Sequence, residues 1–208
     1  MAYLTIDDAP SALFSLKLDF LRRRNIPAWF FCWGEKIAGK EALLIDALHT
    51  GCLLGNHSWT HPHFSELTLE QAREEISRTD QALADLYHRA GIPWAKKAFR
   101  FPYLDQGSSP EQRASLQDLL AEFDYACPPN CPGTGRDAGI SFDQREYWIG
   151  KPDAPHGSSE LSQVLGRIVQ GQPGSNDVIL IHDHESTHEV FFQCVDRYRE
   201  LGLHFTLL

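Results

Sequence analysis

Apolar residues fall into short runs along this chain, separated by longer stretches in which they return every three or four positions. The runs predict strands at Ala2–Ile6, Ala28–Trp33, Cys52–Gly55, Ala98–Phe101, Tyr125–Ala126, Ile140–Phe142, Val178–Ile181 and His204–Leu207. The helical spacing predicts helices over Ser11–Arg24, Lys40–Thr50, Leu69–Ala90, Glu111–Phe123, Ser159–Val169 and Thr187–Leu201. The helix at Leu69–Ala90 is the best marked. Thr68 and Gln71 stand at capping-box spacing, Leu69, Ala72, Ile76, Leu83 and Leu86 form one apolar stripe, and Gly91 with Pro93 stops the pattern.

This strand–helix alternation predicts an α/β fold with a parallel sheet and helices outside it. No Gly-rich turn follows the first strand, as a dinucleotide-binding doubly wound sheet would require. Eight strand candidates favour a closed or partly closed barrel. One domain is expected, since no shift in composition or repeat divides the chain and only Pro128–Gly139, rich in Gly and Pro, breaks the rhythm.

Composition narrows the class. The 208 residues are 42% hydrophobic and 23% charged, with a formal net charge of -9, so nucleic acid and anionic membrane are not expected as partners. No stretch reaches the roughly 20 apolar residues that span a bilayer. A strand pattern already begins at Tyr3, with no signal-peptide pattern before it, so a cytoplasmic location is expected. Of five cysteines, Cys32, Cys52 and Cys194 lie in apolar runs and are expected to be buried thiols. Cys127 and Cys131 flank a loop and lack the second pair that a zinc site built on them would need.

The polar residues that interrupt the pattern gather at strand ends. Asp7 and Asp8 follow the first strand, "GNHSWTHPHF" brings His57 and His61 after the third, and "FRFPY" brings Arg100 and Tyr103 after the fourth. Asp143 closes a later strand and His182 the next. In a parallel barrel these C-terminal ends open on one face, where active sites sit. An isolated Asp-Asp pair reads equally as a turn with a helix cap, and an isolated His-x3-His as surface histidines. Found together, one carboxylate and two imidazoles suit a divalent cation, most naturally Zn²⁺, with a position left for water. One helical turn is expected to set His57 and His61 on the same side. Trp33 and Trp59 are candidates for stacking on a sugar ring or for packing beneath a loop.

These motifs resemble those of the NodB-homology polysaccharide deacetylases, the family-four carbohydrate esterases. "TIDD", "HSWTH", "RFPY" and "LIH" resemble, in family order, its T-F-D-D, H-S/T-x-x-H, R-x-P-Y/F and L-x-H motifs, and the resemblance runs over nearly the whole chain. It implies one catalytic domain over residues 1–208, a single-domain distorted (β/α) barrel with seven or eight mostly parallel strands. It also implies that Asp8, His57 and His61 bind one divalent metal ion, that Asp7 is the general base held by Arg100, and that His182 is the general acid. The Tyr103 N–H would bind the oxyanion, Asp143 would pair with a catalytic histidine or the arginine, and Trp148 would wall the acetyl pocket.

The implied activity is metal-dependent removal of N-acetyl groups from N-acetylhexosamine-containing glycans or sugar conjugates. Hydrolysis of other small linear or cyclic amides is the alternative on the same scaffold. A catalytically silent metal- or carbohydrate-binding module is another, and it would be expected to have lost Asp7 or His182. The sequence departs from the family pattern at Ile6, in place of Phe, and at Ala9, where Gly is common and where a positive φ would be strained. Asp183, His184 and Glu185 around His182 are expected to cap the following helix, with orientation of His182 as the alternative.

Overall fold

The computed structural model describes residues 1–125, 178–185 and 188–207. The strands within them are β1 (Ala2–Ala9), β2 (Trp29–Cys32), β3 (Leu53–Asn56), β4 (Val178–His182) and β5 (Phe205–Thr206), and the helices are α1 (Phe14–Arg23), α2 (Glu41–His49), α3 (Leu69–Ala90), α4 (Pro110–Glu122) and α5 (His188–Glu200). Three short 3₁₀ turns lie at Gly34–Lys36, Phe64–Glu66 and Pro102–Leu104.

All described strand pairs are parallel, in the order β3-β2-β1-β4, with β5 joining β1 at its first residues. The architecture is therefore the parallel α/β arrangement expected from the alternation. The segment Ala98–Phe101 differs from expectation. It contributes an isolated parallel bridge, Phe99 to Asn56, beside β3, because Pro102 then turns the chain. Tyr125 is buried, but it lies outside any strand. The strand expected at Ile140–Phe142, the helix at Ser159–Val169, Cys127 and Cys131 lie outside the described residues.

The face of the sheet that α1 and α5 cover is apolar, as a helix-covered face of a parallel sheet must be. Leu4 and Ile6 of β1, Phe30 of β2 and Ile179 and Ile181 of β4 pack with Phe14, Leu18 and Leu21 of α1 and Phe191, Val195 and Tyr198 of α5 in one cluster. α3 has the bounds its pattern predicts. Thr68 Oγ1 accepts from Gln71 N at 3.2 Å, Gln71 Oε1 accepts from Thr68 N at 2.9 Å, and Gly91 closes the helix at φ 66°. Cys32, Cys52 and Cys194 are buried free thiols, as expected.

The pairing of β1 with β2 is irregular toward the end of both strands. Ile6 pairs with Phe30 and Ala9 with Cys32, so three steps along β1 face two along β2. That is a bulge, and it falls on the two aspartates.

Candidate active site

A regular strand would send Asp7 and Asp8 to opposite faces. Asp7 follows that rule, lying in register with His182 of β4 and sharing the face of Thr5, two residues earlier. Asp8 does not follow it. Its φ of 65° puts it in the left-handed region, which turns its side chain back toward the site. The strain foreseen for Ala9 thus falls on Asp8 itself, a residue type that tolerates it better.

Arg100 is fully buried. Its Nη1 donates to Asp7 Oδ1 at 2.7 Å and to Thr5 Oγ1 at 2.9 Å, so one guanidinium nitrogen aligns two groups on one face of β1. The Thr5 hydroxyl in turn donates to the Ile179 carbonyl at 2.8 Å, tying the pair to β4. Asp183 N donates to the Asp7 carbonyl at 2.8 Å and carries the β1–β4 pairing one residue past His182.

His57 leaves β3 directly after Asn56, a buried side chain that fixes the loop. Asn56 Oδ1 accepts from Ser58 N at 2.8 Å, while Nδ2 donates to the Ile76 carbonyl at 2.9 Å and to the Tyr125 hydroxyl at 2.8 Å. His57 Nδ1 lies 2.8 Å from the Arg100 carbonyl. A carbonyl only accepts, so Nδ1 carries a proton, and Nε2 is the ring nitrogen left to face Asp8. No helical turn brings His61 to the same place. Ser58 and His61 both adopt positive φ, at 65° and 63°, and this doubly reversed loop does what a helix was expected to do. His61 stacks on Trp33 with ring centroids 4.5 Å apart and interplanar angle 19°. Trp33 is therefore packing under a metal-ligand candidate, and Trp59 is half-buried beneath the Arg78 guanidinium.

Asp8 Oδ1 ends 3.4 Å from His57 Nε2 and 3.0 Å from His61 Nε2. It is buried and accepts no hydrogen bond from any described residue. One ligand atom from each of Asp8, His57 and His61 lies within 4.8 Å of the others. A carboxylate oxygen and imidazole nitrogens converging on one point, in a dry setting, fit a divalent cation. Burial raises the Asp8 pKa, but the His57 and His61 imidazoles outweigh it and hold the carboxyl well below the usual range. Burial lowers the His61 pKa, which favours the neutral ring a metal requires.

Tyr103 and Leu104 also have positive φ, at 55° and 62°. Five of the seven non-glycine residues with positive φ among those described, Asp8, Ser58, His61, Tyr103 and Leu104, lie in these site loops. Such conformations persist where the surroundings over-determine them. The Tyr103 ring, 48% exposed, stacks on His63 at 3.9 Å and meets His61 edge-on at 4.7 Å.

The structure also gathers residues to which sequence reasoning assigned another part. His184 Nε2 lies 3.3 Å from Asp8 Oδ2, and the His182 and His184 rings are 5.2 Å apart and nearly parallel. Among the described residues, the Asp183 and Glu185 side chains bond toward α1 and not to the helix after them. Asp183 accepts from Ser11 N at 2.7 Å and Ser11 Oγ at 2.8 Å and pairs with Lys17 Nζ at 2.5 Å, and Glu185 accepts from Ala12 N at 3.0 Å. They hold the approach to α1 instead. The signal for His184 was its i, i+2 spacing from His182, which puts both on one side of an extended chain. Asp143 and Trp148 lie outside the described residues.

A family pattern described as polysaccharide deacetylase matches residues 1–120. The bifunctional xylanase/xylan deacetylase of Cellvibrio japonicus is 34% identical over 204 residues, 96% of this chain and 26% of that protein. The peptidoglycan-N-acetylglucosamine deacetylase of Bacillus cereus is 34% identical over 101 residues, 48% of this chain and 35% of that protein. The chain thus spans about a quarter to a third of the length of these curated relatives. Among solved structures, a family 4 carbohydrate esterase from Streptomyces lividans, in complex with acetate, superposes with a TM-score of 0.69 at 27% identity, covering 99% of this chain and 91% of that one. The chain belongs to the polysaccharide deacetylase family, and its fold is the family's parallel (β/α) barrel.

Proposed function

We propose that this chain is a metal-dependent hydrolase that removes acetyl groups from the N-acetylhexosamine units of a glycan or sugar conjugate. The observation that carries the reading is the placement of Asp7, oriented by Arg100, in register with His182, with the Asp8–His57–His61 cation set beside them. A base and an acid on adjacent strands, next to a site for a Lewis acid, is what hydrolysis of an amide needs.

Zn²⁺ is the ion proposed for Asp8, His57 and His61, where it supplies Lewis acidity toward the acetyl carbonyl and makes water a stronger acid. Asp7 then accepts the proton of the attacking water, with its carboxylate aimed by Arg100. The Tyr103 N–H donates to the oxygen on which negative charge grows. His182 delivers a proton to the departing amine, which would otherwise leave as a strongly basic anion. The aromatic surface of Tyr103 and His63 is a stacking platform for a sugar ring beside the reacting acetyl group.

A second reading has its own support. The Cellvibrio japonicus relative, matched over 96% of this chain, is a bifunctional xylanase/xylan deacetylase, which favours acetyl esters as substrates on the same site. The test is to incubate the zinc-loaded protein with chitooligosaccharides, with acetylated xylan and with small amides, and to measure acetate or amine release. Acetate from the chitooligosaccharides supports the leading reading, and acetate from xylan alone supports the second. Release of neither acetate nor amine from any of them overturns both.

A further inference from the structure

We propose that Asp8, His182 and His184 form a second, weaker divalent-cation site, which shares Asp8 with the first and, when filled, withdraws His182 from proton transfer. The regulatory consequence rests on the hydrolase reading above. The binding site itself rests on geometry alone.

One ligand atom from each of these three residues lies within 4.8 Å of the others, the same donor types within the same limit as Asp8, His57 and His61. The two oxygens of Asp8 are divided between the sets. Oδ1 faces His57 and His61 at 3.4 and 3.0 Å, and Oδ2 faces His184 Nε2 at 3.3 Å. A carboxylate that offers one oxygen to each side is the usual bridge between two ions about 3.5–4 Å apart.

The second pair of imidazoles is held as firmly as a ligand pair needs to be. Between them, Asp183 is buried and clamped by Ser11 and by Lys17, and Lys17 Nζ also donates to the His184 carbonyl at 2.9 Å. This strut fixes the backbone on both sides of the two rings, which lie nearly parallel at an angle of 15°. His184 also lines a cavity of about 380 Å³ with Pro10, Ser11, Lys36, Lys40 and Glu185, which gives a cation a way in. The lysines there, with Lys36 Nζ 3.4 Å from the Asp8 carbonyl, oppose a second positive ion and make its binding weaker than the first. An imidazole whose lone pair is taken by a cation cannot carry a proton to a leaving group.

The experiment is equilibrium dialysis of the metal-free full chain against Zn²⁺, with bound metal measured by elemental analysis, for the wild type, His184→Gln and His184→Ala. Circular dichroism checks the fold of each variant. The wild type should bind two equivalents, the second at least about tenfold more weakly, and both variants should keep only the tight one. With Co²⁺ in place of Zn²⁺, the second equivalent should couple magnetically to the first through the shared carboxylate, and this should vanish in the variants. A single equivalent in the wild type, or two in either His184 variant, overturns the site. Where acetate release is measurable, it should rise with the first equivalent and fall with the second. A rate that instead rises with the second equivalent overturns the inhibitory role. If no substrate is turned over, the stoichiometry still decides the site, so failure of the hydrolase reading and failure of this one are told apart.

Discussion

Arg100 Nη1 and Asp7 Oδ1 meet at 2.7 Å although 93 residues separate them in sequence, and both groups are almost completely buried. Replacing Arg100 by Met should leave the Asp7 carboxylate without its counter-charge in a dry setting, at a cost of about 3–5 kcal/mol. Urea unfolding should show the loss as a lower midpoint. Asp7→Asn removes the charge as well as the proton acceptor, so it should cost less stability and more activity. For that variant kcat should fall with little change in KM, and bound metal should stay stoichiometric. Loss of the ion from Asp7→Asn would exchange the roles of the two aspartates.

Asp8, His57 and His61 should fail in a different way. His57→Ala or His61→Ala should abolish stoichiometric metal, and Asp8→Asn should weaken binding so that added Zn²⁺ restores part of the rate. Elemental analysis beside kcat, with and without excess metal, separates these variants from Asp7→Asn. A double His57→Ala, His61→Ala protein that keeps one tight equivalent would refute this site.

His182→Ala should lower kcat on an amide by roughly 10²–10⁴-fold. The effect on an acetyl ester should be smaller, because an alkoxide leaves more readily than an unprotonated amine. Equal losses on both substrates would mean that His182 acts on something other than the leaving group.

Lys17 is fully buried and pairs with Asp183 across the gap between α1 and β4. Lys17→Met should leave Asp183 uncompensated and cost about 3–5 kcal/mol, read from chemical unfolding. An unchanged midpoint would show that Ser11 alone satisfies Asp183.

Asp105 accepts from Ser65 N at 2.9 Å and from Ser65 Oγ at 2.6 Å. Burial raises its pKa, but the Ser65 and Gly107 donors outweigh this and set it below the ordinary 3.8. The unfolded chain therefore takes up this proton more readily, so the stabilisation is complete above that value and disappears as pH falls through the lower folded one. The stability difference between wild type and Asp105→Ala should accordingly shrink as pH is lowered from neutrality to about 2. A difference that stays constant would place the effect in packing.

Local pattern by itself determined a good deal. The short apolar runs and the period-3.6 repeats located β1, β2, β3 and β4 and the helices α1 to α5 to within a few residues. The chemistry-bearing residues stood at the ends of those strands, where a parallel sheet gathers them on one face whatever the details. Their order along the chain also carried the family.

Tertiary structure alone decided how the groups meet. Nothing local announces the bulge at Asp7 and Asp8, because an extra residue in β1 exists only relative to the register of β2. The His57–His61 loop likewise takes positive φ at Ser58 and His61 because Asn56 Oδ1 accepts from Ser58 N, Glu75 Oε2 accepts from Trp59 N and Trp33 stacks on His61, against what a four-residue spacing suggests. Asp183 was expected to cap the helix after it, but its bonds go to Ser11 and Lys17, which lie beside β4 only in the folded chain, more than 160 residues away in sequence. Side-chain types and their periodicity are properties of neighbouring residues and can be read from a string. Register, strain and ion pairing are properties of segments brought together by folding.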